Sequence, residues 1–216
     1  MRGVQFGEYH TADDWGLILN SKKIDPPAPK YSKVEVDGRD GEINLSRALT
    51  GEIKYSNRDA TFTFLITEGT QSEREDRINE IINLIHGQEL QIIEPDDPDH
   101  YLFGECSVSN VSNTKAYGSF TVTVDCEPYR YSVNEVNRVI TATSTPTDII
   151  LTNTGRRTLT PTLTVSNSVN LVIGTNKVAL SAGIYKLTAL ILKTGTTIVT
   201  VSGTGTVAFS YREAVL

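Results

Sequence analysis

A short acidic stretch holds the side chains best suited to chemistry, because Asp96, Asp97, Asp99 and His100 lie within five residues. Oxygen ligands at such spacing are of the kind that Ca²⁺ accepts. The stretch lacks the central glycine and the twelfth-position glutamate of an EF-hand, and two prolines stiffen it instead. We therefore interpret residues 94–100 as a turn by composition, and a metal-dependent hydrolase built on Asp96–His100 is the weaker alternative.

His10 is the other candidate for catalysis, since Asp13, Asp14 and Trp15 follow it closely. A histidine–carboxylate dyad is conceivable there, but one histidine near carboxylates is common by chance. The sequence contains no Gly-x-Ser-x-Gly elbow, no Gly-Lys-[Ser/Thr] phosphate loop, no His-Glu-x-x-His and no Cys-x-x-Cys. We predict no catalytic residue, no cofactor-binding residue and no metal site, so the chain is not expected to be an enzyme.

The two cysteines, Cys106 and Cys126, are too few for a disulfide framework. Both lie in predicted strands, Tyr101–Val108 and Ser119–Cys126, which we expect to pair. Counting along this hairpin does not place the two cysteines opposite each other. We therefore predict buried, reduced thiols that pack as small apolar side chains.

The bulk properties bound the class of protein. A chain of 216 residues with 38% hydrophobic and 21% charged residues is neither disordered nor embedded in a membrane. The first ten residues carry one basic side chain and no apolar run, so we expect no signal peptide and synthesis in the cytoplasm. Residues 1–130 hold 13 Lys and Arg against 23 Asp and Glu, a balance of −10, which disfavours binding to nucleic acid.

A shift in composition predicts two domains, residues 1–130 and 131–216. Residues 141–210 contain only six charged side chains and are rich in Thr, Ser and aliphatic residues, which suit strands. Turn signals recur every 8–12 residues there, which is typical of a β-sandwich or a jelly roll. The predicted strands are Val136–Ala142, Asp148–Leu151, Thr158–Val165, Val169–Ile173, Lys177–Leu180, Ile184–Leu192, Thr197–Val201 and Thr206–Tyr211.

The first domain is predicted to be α+β, with antiparallel sheets and one covering helix over Ser72–Ile85. Ser72 and Glu75 form a capping-box pattern, and four isoleucines follow at helical spacing, with Gly87 after the helix. The fold class is therefore mainly β, with an α+β first domain and a sandwich as the second. The predicted strands of the first domain are Lys33–Val36, Ala60–Ile66, Leu90–Ile93, Tyr101–Val108 and Ser119–Cys126.

One block of the first domain is predicted to have a structural role and no catalytic one. An alternating strand runs into a turn with the sequence Gly38-Arg39-Asp40-Gly41, and Asn57-Arg58 precedes the apolar face of the next strand. We expect both glycines to adopt positive φ. We also expect Arg58 to lock this turn to the second strand through Asp37 or Asp40, since an arginine can bridge loops with its five donors.

This block and its surroundings resemble the distal tail (Dit) proteins of long-tailed bacteriophages. The resemblance covers nearly the whole chain. The matching segments, in order, are Phe6-Gly7, Asp14–Leu17, Pro26–Lys30, Gly38–Gly41, Asn57-Arg58, the capped helix, Glu94–His100, Asn153–Gly155, Pro161–Val165 and Gly205–Leu216.

The resemblance implies a structural hub of the phage tail tip, located in the virion. First domains would form a hexameric ring around a channel through which DNA passes without specific binding, and second domains, resembling galectins or carbohydrate-binding modules, would project outward. The ring would join the tail tube protein to the tail-associated tip protein, with receptor-binding proteins as further possible partners. The acidic balance of residues 1–130 fits a channel to which DNA does not stick. The extended segment Ile24–Lys30 could reach over a neighbouring copy.

The alternative function is a carbohydrate-binding adhesion module on a tail or cell surface. Sugar binding needs an exposed aromatic platform. Beyond the domain boundary at Tyr131, the aromatic residues of the second domain are Tyr185, Phe209 and Tyr211, and they occupy strand-like positions. The second domain also has no long inserted loop, whereas larger relatives carry inserted binding domains. We therefore do not extend saccharide binding to this chain.

Overall fold

The computed structural model of this chain describes residues 2–48 and 51–216. The chain divides into two compact units, one of residues 1–130 together with Leu216 and one of residues 131–215. Within the described residues the first unit contains a single helix, and almost all other regular structure is antiparallel strand. The predicted mainly β fold class is thus confirmed.

The first unit contains eleven strands among its described residues and the helix α1, which spans Gln71–Ile85. The strands are β1 (Gln5–Phe6), β2 (Tyr9–His10), β3 (Ile18–Ile24), β4 (Pro29–Lys30), β5 (Lys33–Glu35), β6 (Glu42–Asn44), β7 (Lys54–Tyr55), β8 (Arg58–Ile66), β9 (Glu89–Glu94), β10 (Asp97–Asn113) and β11 (Gly118–Cys126).

The main sheet of this unit has the order β2-β1-β9-β10-β11-β8-β3. At its centre, β8 and β11 pair at nine consecutive positions, from Arg58 opposite Cys126 to Ile66 opposite Gly118. Every second residue of β8 is buried, as expected for a strand with one face toward a core. Phe62 and Phe64 lie on that face and contact Phe6 edge-on, with ring centroids 5.8 and 6.2 Å away.

Helix α1 covers this face, and its isoleucine stripe is confirmed as buried at Ile78, Ile81 and Ile85. The cap differs from the prediction by two residues. Thr70 is the N-cap, and its hydroxyl and the Glu73 carboxylate form the reciprocal capping box, so the pair Ser72–Glu75 was the wrong choice of two similar patterns. Gly87 follows the helix with φ +73°, as predicted. No helix in the described part of the chain is long and apolar enough to cross a membrane.

A buried arginine fastens α1 to the β10–β11 connection. Arg74 is only 3% exposed, and its guanidinium donates to the carbonyls of Gly69, Thr114 (2.7 Å) and Lys115 (3.2 Å) and to Oδ1 of Asn113 (3.4 Å). All three nitrogens are therefore used. Because each acceptor is neutral, Arg74 joins backbone to backbone and supports the start of the helix.

The cysteines are free and buried, as predicted. Cys106 lies opposite Val124 and Cys126 lies opposite Gly104, so the two face different partners across the β10–β11 ladder. Burial raises the pKa of each thiol to about 12.

The second unit is a sandwich of two four-stranded sheets, as predicted, with orders β13-β20-β15-β18 and β14-β19-β16-β17. Its core includes Leu151, Leu163, Val201 and Phe209, all fully buried. The eight strands of the sandwich are β13 (Val136–Thr141), β14 (Thr147–Asn153), β15 (Thr162–Val165), β16 (Val169–Ile173), β17 (Asn176–Leu180), β18 (Gly183–Lys186), β19 (Gly195–Gly203) and β20 (Thr206–Tyr211). Two short strands, β12 (Arg130–Ser132) and β21 (Ala214–Val215), lie outside these two sheets.

Several predicted elements differ in extent from the observed ones, and some strands were missed. The turn predicted over residues 94–100 shrinks to Pro95 and Asp96, because β10 already pairs with β9 at Asp97. The strand predicted over Ile184–Leu192 ends at Lys186, and Leu190 and Leu192 are buried outside it. Strand β3 was missed, since its residues Ile18–Ile24 alternate poorly and mostly face solvent.

Replacing Arg74 with Met should lower the free energy of unfolding by at least about 2 kcal/mol, because four acceptors lose a charged donor inside the protein. Urea unfolding followed by fluorescence and circular dichroism measures this. Arg77→Met on the same helix is the control, since Arg77 makes only a long contact to the Trp15 carbonyl at 3.4 Å. Equal losses in the two variants would contradict the role of Arg74 as a fastener.

Candidate assembly site

Residues 29–48 and 51–55, here called the hairpin segment, form two small two-stranded sheets, β4 with β7 and β5 with β6. The predicted motif Gly38-Arg39-Asp40-Gly41 makes the turn between β5 and β6. Gly38 and Gly41 have φ of +82° and +76°, as predicted, and an added Cβ would meet nothing within 4 Å at either position. The backbone conformation, and not crowding, is therefore what requires glycine in this turn.

The hairpin segment exposes large apolar side chains. Tyr31 is 62% exposed, and Val34, Val36 and Leu45 are each 43–44% exposed. Arg39 and Asp40 at the turn are also exposed. Apolar side chains grouped on one exposed segment are typical of a protein–protein contact. The segment is the strongest candidate for an assembly surface on this unit.

Arg58 does not reach the turn, and the expected contact with Asp37 or Asp40 is wrong. Both aspartates are exposed, whereas Arg58 is 4% exposed at the start of β8, and no hydrogen bond or ion pair in the described chain joins them. The turn belongs to the separate β5–β6 sheet, whereas Arg58 lies in β8 of the main sheet. Asn57 is exposed just before β8. The structure therefore places the six motif residues in two separate sites.

Arg58 is buried, and a second arginine, Arg130, acts on its charge. Burial, and next the charge of Arg130, lower the pKa of Arg58, while Cys126 and Glu94 act in the opposite direction with smaller effects. Nε and Nη2 of Arg58 and Nε of Arg130 are buried without a hydrogen-bond partner. The positive charge of Arg58 thus lies inside the protein with few groups to stabilise it.

The acidic stretch at 96–100 is held by cations. Asp96 pairs with Lys22 and Arg2, and Lys22 also pairs with the buried Glu94. The hydrogen bonds from Lys22 and then Arg2 lower the pKa of Asp96. Three of the four side chains that suggested a metal, Asp96, Asp97 and His100, are thus engaged in ion pairs, and Asp99 is exposed. Within the described residues no group of three or more His, Cys, Asp or Glu is placed to hold a metal ion.

Asp97 has its own partners, His100 and Arg130. Nδ1 of His100 lies 2.7 Å from Oδ1, and Nη1 of Arg130 lies 3.0 Å from Oδ2. Burial alone would raise the pKa of Asp97, but the hydrogen bonds from His100 and Arg130 outweigh it and the pKa falls below its ordinary value. The same Arg130 nitrogen lies 3.6 Å from Glu94. The ion pairs of Asp97 and Glu94 with His100 and Arg130 thus stabilise the β9–β10 turn.

His10 closes a local turn. Its Nδ1 lies 2.7 Å from the Asp13 carboxylate and accepts from the Asp13 backbone N–H, while the His10 backbone N–H donates to Asp14. Asp13 is mostly exposed. The geometry explains this histidine and its neighbours as turn structure, which is the interpretation favoured by the sequence.

In the second unit, two segments that carried the resemblance meet. The Thr154 N–H and hydroxyl both donate to the Glu213 carboxylate, at 2.7 and 2.6 Å. An added Cβ on Gly155 would lie 2.4 Å from the Ala214 carbonyl oxygen, so only glycine fits there. The buried Asn153 donates to the Arg157 and Leu192 carbonyls and accepts from the Gly155 N–H. These residues fix the end of the sandwich and perform no visible chemistry.

The faces of the second unit offer no aromatic platform. Phe209 and Tyr211 are buried and Tyr185 is half-buried, with its hydroxyl near Ser181. The exposed large apolar residues of this unit are aliphatic, and they include Ile150 and Ile198, which face each other across β14 and β19. The geometry gives the carbohydrate-binding alternative no support.

Sequence reasoning missed three charged residues that matter here. Arg74 was detectable, because it lies four residues before Ile78 on the buried stripe of α1. Lys22 and Arg130 had no local signal, since their partners are far away in the sequence.

Of the comparisons with known proteins, only the one with solved structures bears on the fold. No family model matches this chain, and no curated protein sequence matches it. Among solved structures, the chain is similar to the crystal structure of the Dit protein (gp 19.1) of SPP1, described as a paradigm of the hub adsorption apparatus in phages that infect Gram-positive bacteria. The TM-score is 0.70 at 16% identity, over 98% of this chain and 99% of that one. The likeness spans both units and establishes a shared fold.

Replacing Asp97 with Asn should destabilise the protein near neutral pH and have a shrinking effect in acid. The folded-state pKa of Asp97 is below its ordinary 3.8, so its ion pairs stabilise the fold above that pH and are lost as the pH falls further. Thermal midpoints of parent and variant across pH measure this, with the exposed Asp99→Asn as control. A difference between parent and variant that stays constant down to about pH 2 would contradict the assignment.

Proposed function

We propose that this protein is a structural hub of a long-tailed phage or prophage tail tip. The observation that carries the proposal is the whole-chain match in fold to a Dit protein, which covers both units in one alignment. The site geometry supports it, because the candidate catalytic groups are engaged in turns and ion pairs. A virion location follows from the same proposal.

The first unit is proposed to form the ring. A ring requires a heterologous contact, in which one surface of a copy meets a different surface of the next. The hairpin segment provides one such surface through Tyr31, Val34, Val36 and Leu45. The outer edge of β3 provides another, because β3 ends the main sheet and leaves one side of its backbone unpaired.

The segment Ile24–Lys30 connects these two surfaces. It leaves the edge strand β3 at Ile24 and enters β4 at Pro29, so it runs directly from the sheet edge to the hairpin segment. Pro26 and Pro27 keep it extended. In the proposed ring, the hairpin segment of one copy packs on the β3 edge of its neighbour.

Ring size, channel and partners come from the resemblance to Dit proteins. We propose six copies around a channel that DNA crosses, with the tail tube protein on one side and the tail-associated tip protein on the other. Receptor-binding proteins are further candidate partners. The excess of 23 acidic over 13 basic residues in residues 1–130 would keep DNA from binding to the channel wall.

Light scattering on a sizing column, over a series of protein concentrations, tests the ring. A closed hexamer has six times the 23.7 kDa mass of the chain. Negative-stain images of that species should show a central hole. A protein that stays monomeric at every concentration, and also with the tail tube and tip proteins of the same phage added, would contradict the proposal.

Replacing Val34, Val36 and Leu45 together with Ser should shift the equilibrium toward monomer. These side chains bury no core, so the thermal midpoint should stay within a few degrees, while the association constant falls at least about tenfold from lost apolar contact. The matched control is Ile150→Ser with Ile198→Ser, an exposed pair in the second unit. Association that weakens equally in both variants would rule out the hairpin segment as the ring contact.

A further inference from the structure

The two most buried arginines of the first unit differ in one respect. Arg74 is 3% exposed and each of its three nitrogens donates to an oxygen. Arg58 is 4% exposed, and its Nε and Nη2 have no hydrogen-bond partner. Buried donors are rarely left unsatisfied, so the exception needs an explanation.

The two unsatisfied atoms of Arg58 lie on one edge of the guanidinium. Nε–H and the adjacent Nη2–H point in nearly parallel directions, and this edge accepts two oxygens of a carboxylate or phosphate at once. The free edge of Arg58 therefore has the geometry of an anion-binding fork.

Arg58 and Arg130 line a cavity of about 280 Å³, together with Ile24, Asp25, Pro26, Pro27 and Leu216. Nε of Arg130 is a third buried donor without a partner. The volume exceeds what one water molecule occupies, which is about 30 Å³, and a small oxyanion fits in it. The prolines contribute no backbone N–H, so the donors available in this cavity are largely those of the two arginines.

The nearby side-chain carboxylates of Glu94, Asp97 and Asp25 are already engaged. Glu94 pairs with Lys22 and Asp97 with His100 and Arg130, while Asp25 accepts from Nζ of Lys23 at 2.9 Å. No described carboxylate forms an ion pair with Arg58. An arginine stays charged inside proteins, so its charge is buried without a counterion.

We propose that this cavity is an oxyanion site, in which the Nε and Nη2 edge of Arg58 binds a carboxylate or a phosphate and Nε of Arg130 adds a third hydrogen bond. The anion supplies the charge that the surrounding carboxylates do not, and it satisfies three donors in one step. The site does not depend on ring formation.

Two sources could supply the same chemistry. One is a free anion such as inorganic phosphate. The other is a carboxylate of a second copy of this chain, and Asp37 and Asp40 at the tip of the β5–β6 turn are exposed without an ion pair among the described residues. The second source would place the acidic turn of one copy in the arginine cavity of the next, and it rests on the proposed ring.

Nitrogen-15 NMR of the arginine Nε–H groups in the full chain tests the site directly. The Arg58 signal is the one lost in Arg58→Lys. Sodium phosphate or sodium acetate, exchanged for chloride at constant ionic strength, should move the Arg58 signal saturably. The Arg74 signal should stay in place, because backbone and side-chain oxygens already occupy that guanidinium.

A second readout uses stability. Phosphate should raise the thermal midpoint of the parent protein in a saturable way, and the effect should weaken about tenfold in apparent affinity in Arg58→Lys, which keeps the charge and loses the fork. Arg77→Lys is the matched control and should respond like the parent. In chloride alone, Arg58→Leu should be no less stable than the parent, since it removes an unpaired buried charge.

The same NMR spectra distinguish the two sources of the anion. A shift with phosphate at fixed protein concentration identifies a free anion. A shift that grows with protein concentration in chloride, and disappears in Asp37→Asn with Asp40→Asn, identifies the second copy. An Arg58 signal that responds to neither overturns the proposal and leaves water as the partner of these donors, whether or not the ring forms.

Discussion

The nine-position register between β8 and β11 is the interaction on which the first unit depends. Side chains alternate between the two faces of a strand, so a slip by one residue would turn Phe62, Phe64 and Phe120 away from α1 and into solvent. The neighbouring strands β3 and β10 add to the two sides of this pair. The hairpin segment runs directly into the start of β8, so the register also fixes where that segment ends.

A second constraint is that a charged group buried in this unit needs hydrogen bonds or ion pairs to stabilise it. Arg74 finds them locally, in the carbonyls of a helix start and of one hairpin. Lys22 pairs with Glu94, and Arg130 lies between Glu94 and Asp97 and pairs with both. Arg58 lies close to these groups and is outcompeted for their carboxylates. The first unit thus contains three arginines in different situations. Arg74 has a partner for each nitrogen, Arg130 shares the carboxylates of Glu94 and Asp97, and Arg58 has two buried nitrogens without a hydrogen-bond partner.

The extent to which the sequence predicted this structure depended on how local the signals were. Strands Val169–Ile173 and Thr206–Tyr211 were predicted with their observed ends, because apolar residues recur in each and a glycine-containing turn adjoins one end of each. The isoleucine stripe predicted the buried face of α1 for the same reason. Strand β3 was missed because an edge strand buries little and therefore shows little pattern.

The candidate site was less predictable. The positive φ of Gly38 and Gly41 followed from residue type alone, but the partner of Arg58 did not. Proximity in the sequence suggested Asp37 or Asp40, whereas the chain folds residues 33–44 into a sheet of their own and brings Arg130, 72 positions further along, to the same cavity as Arg58. Long-range neighbours of this kind depend on the packing of the whole unit, and no single segment of the sequence encodes them.

The burial of Cys106 and Cys126 has a consequence for chemical durability. Only the thiolate form of cysteine reacts readily with oxidants and disulfides. With a pKa of about 12, roughly one thiol in 10,000 is ionised at about pH 8, and each is also shielded from solvent. An assembly built from such subunits would resist air oxidation and accidental cross-linking without any disulfide or reducing agent.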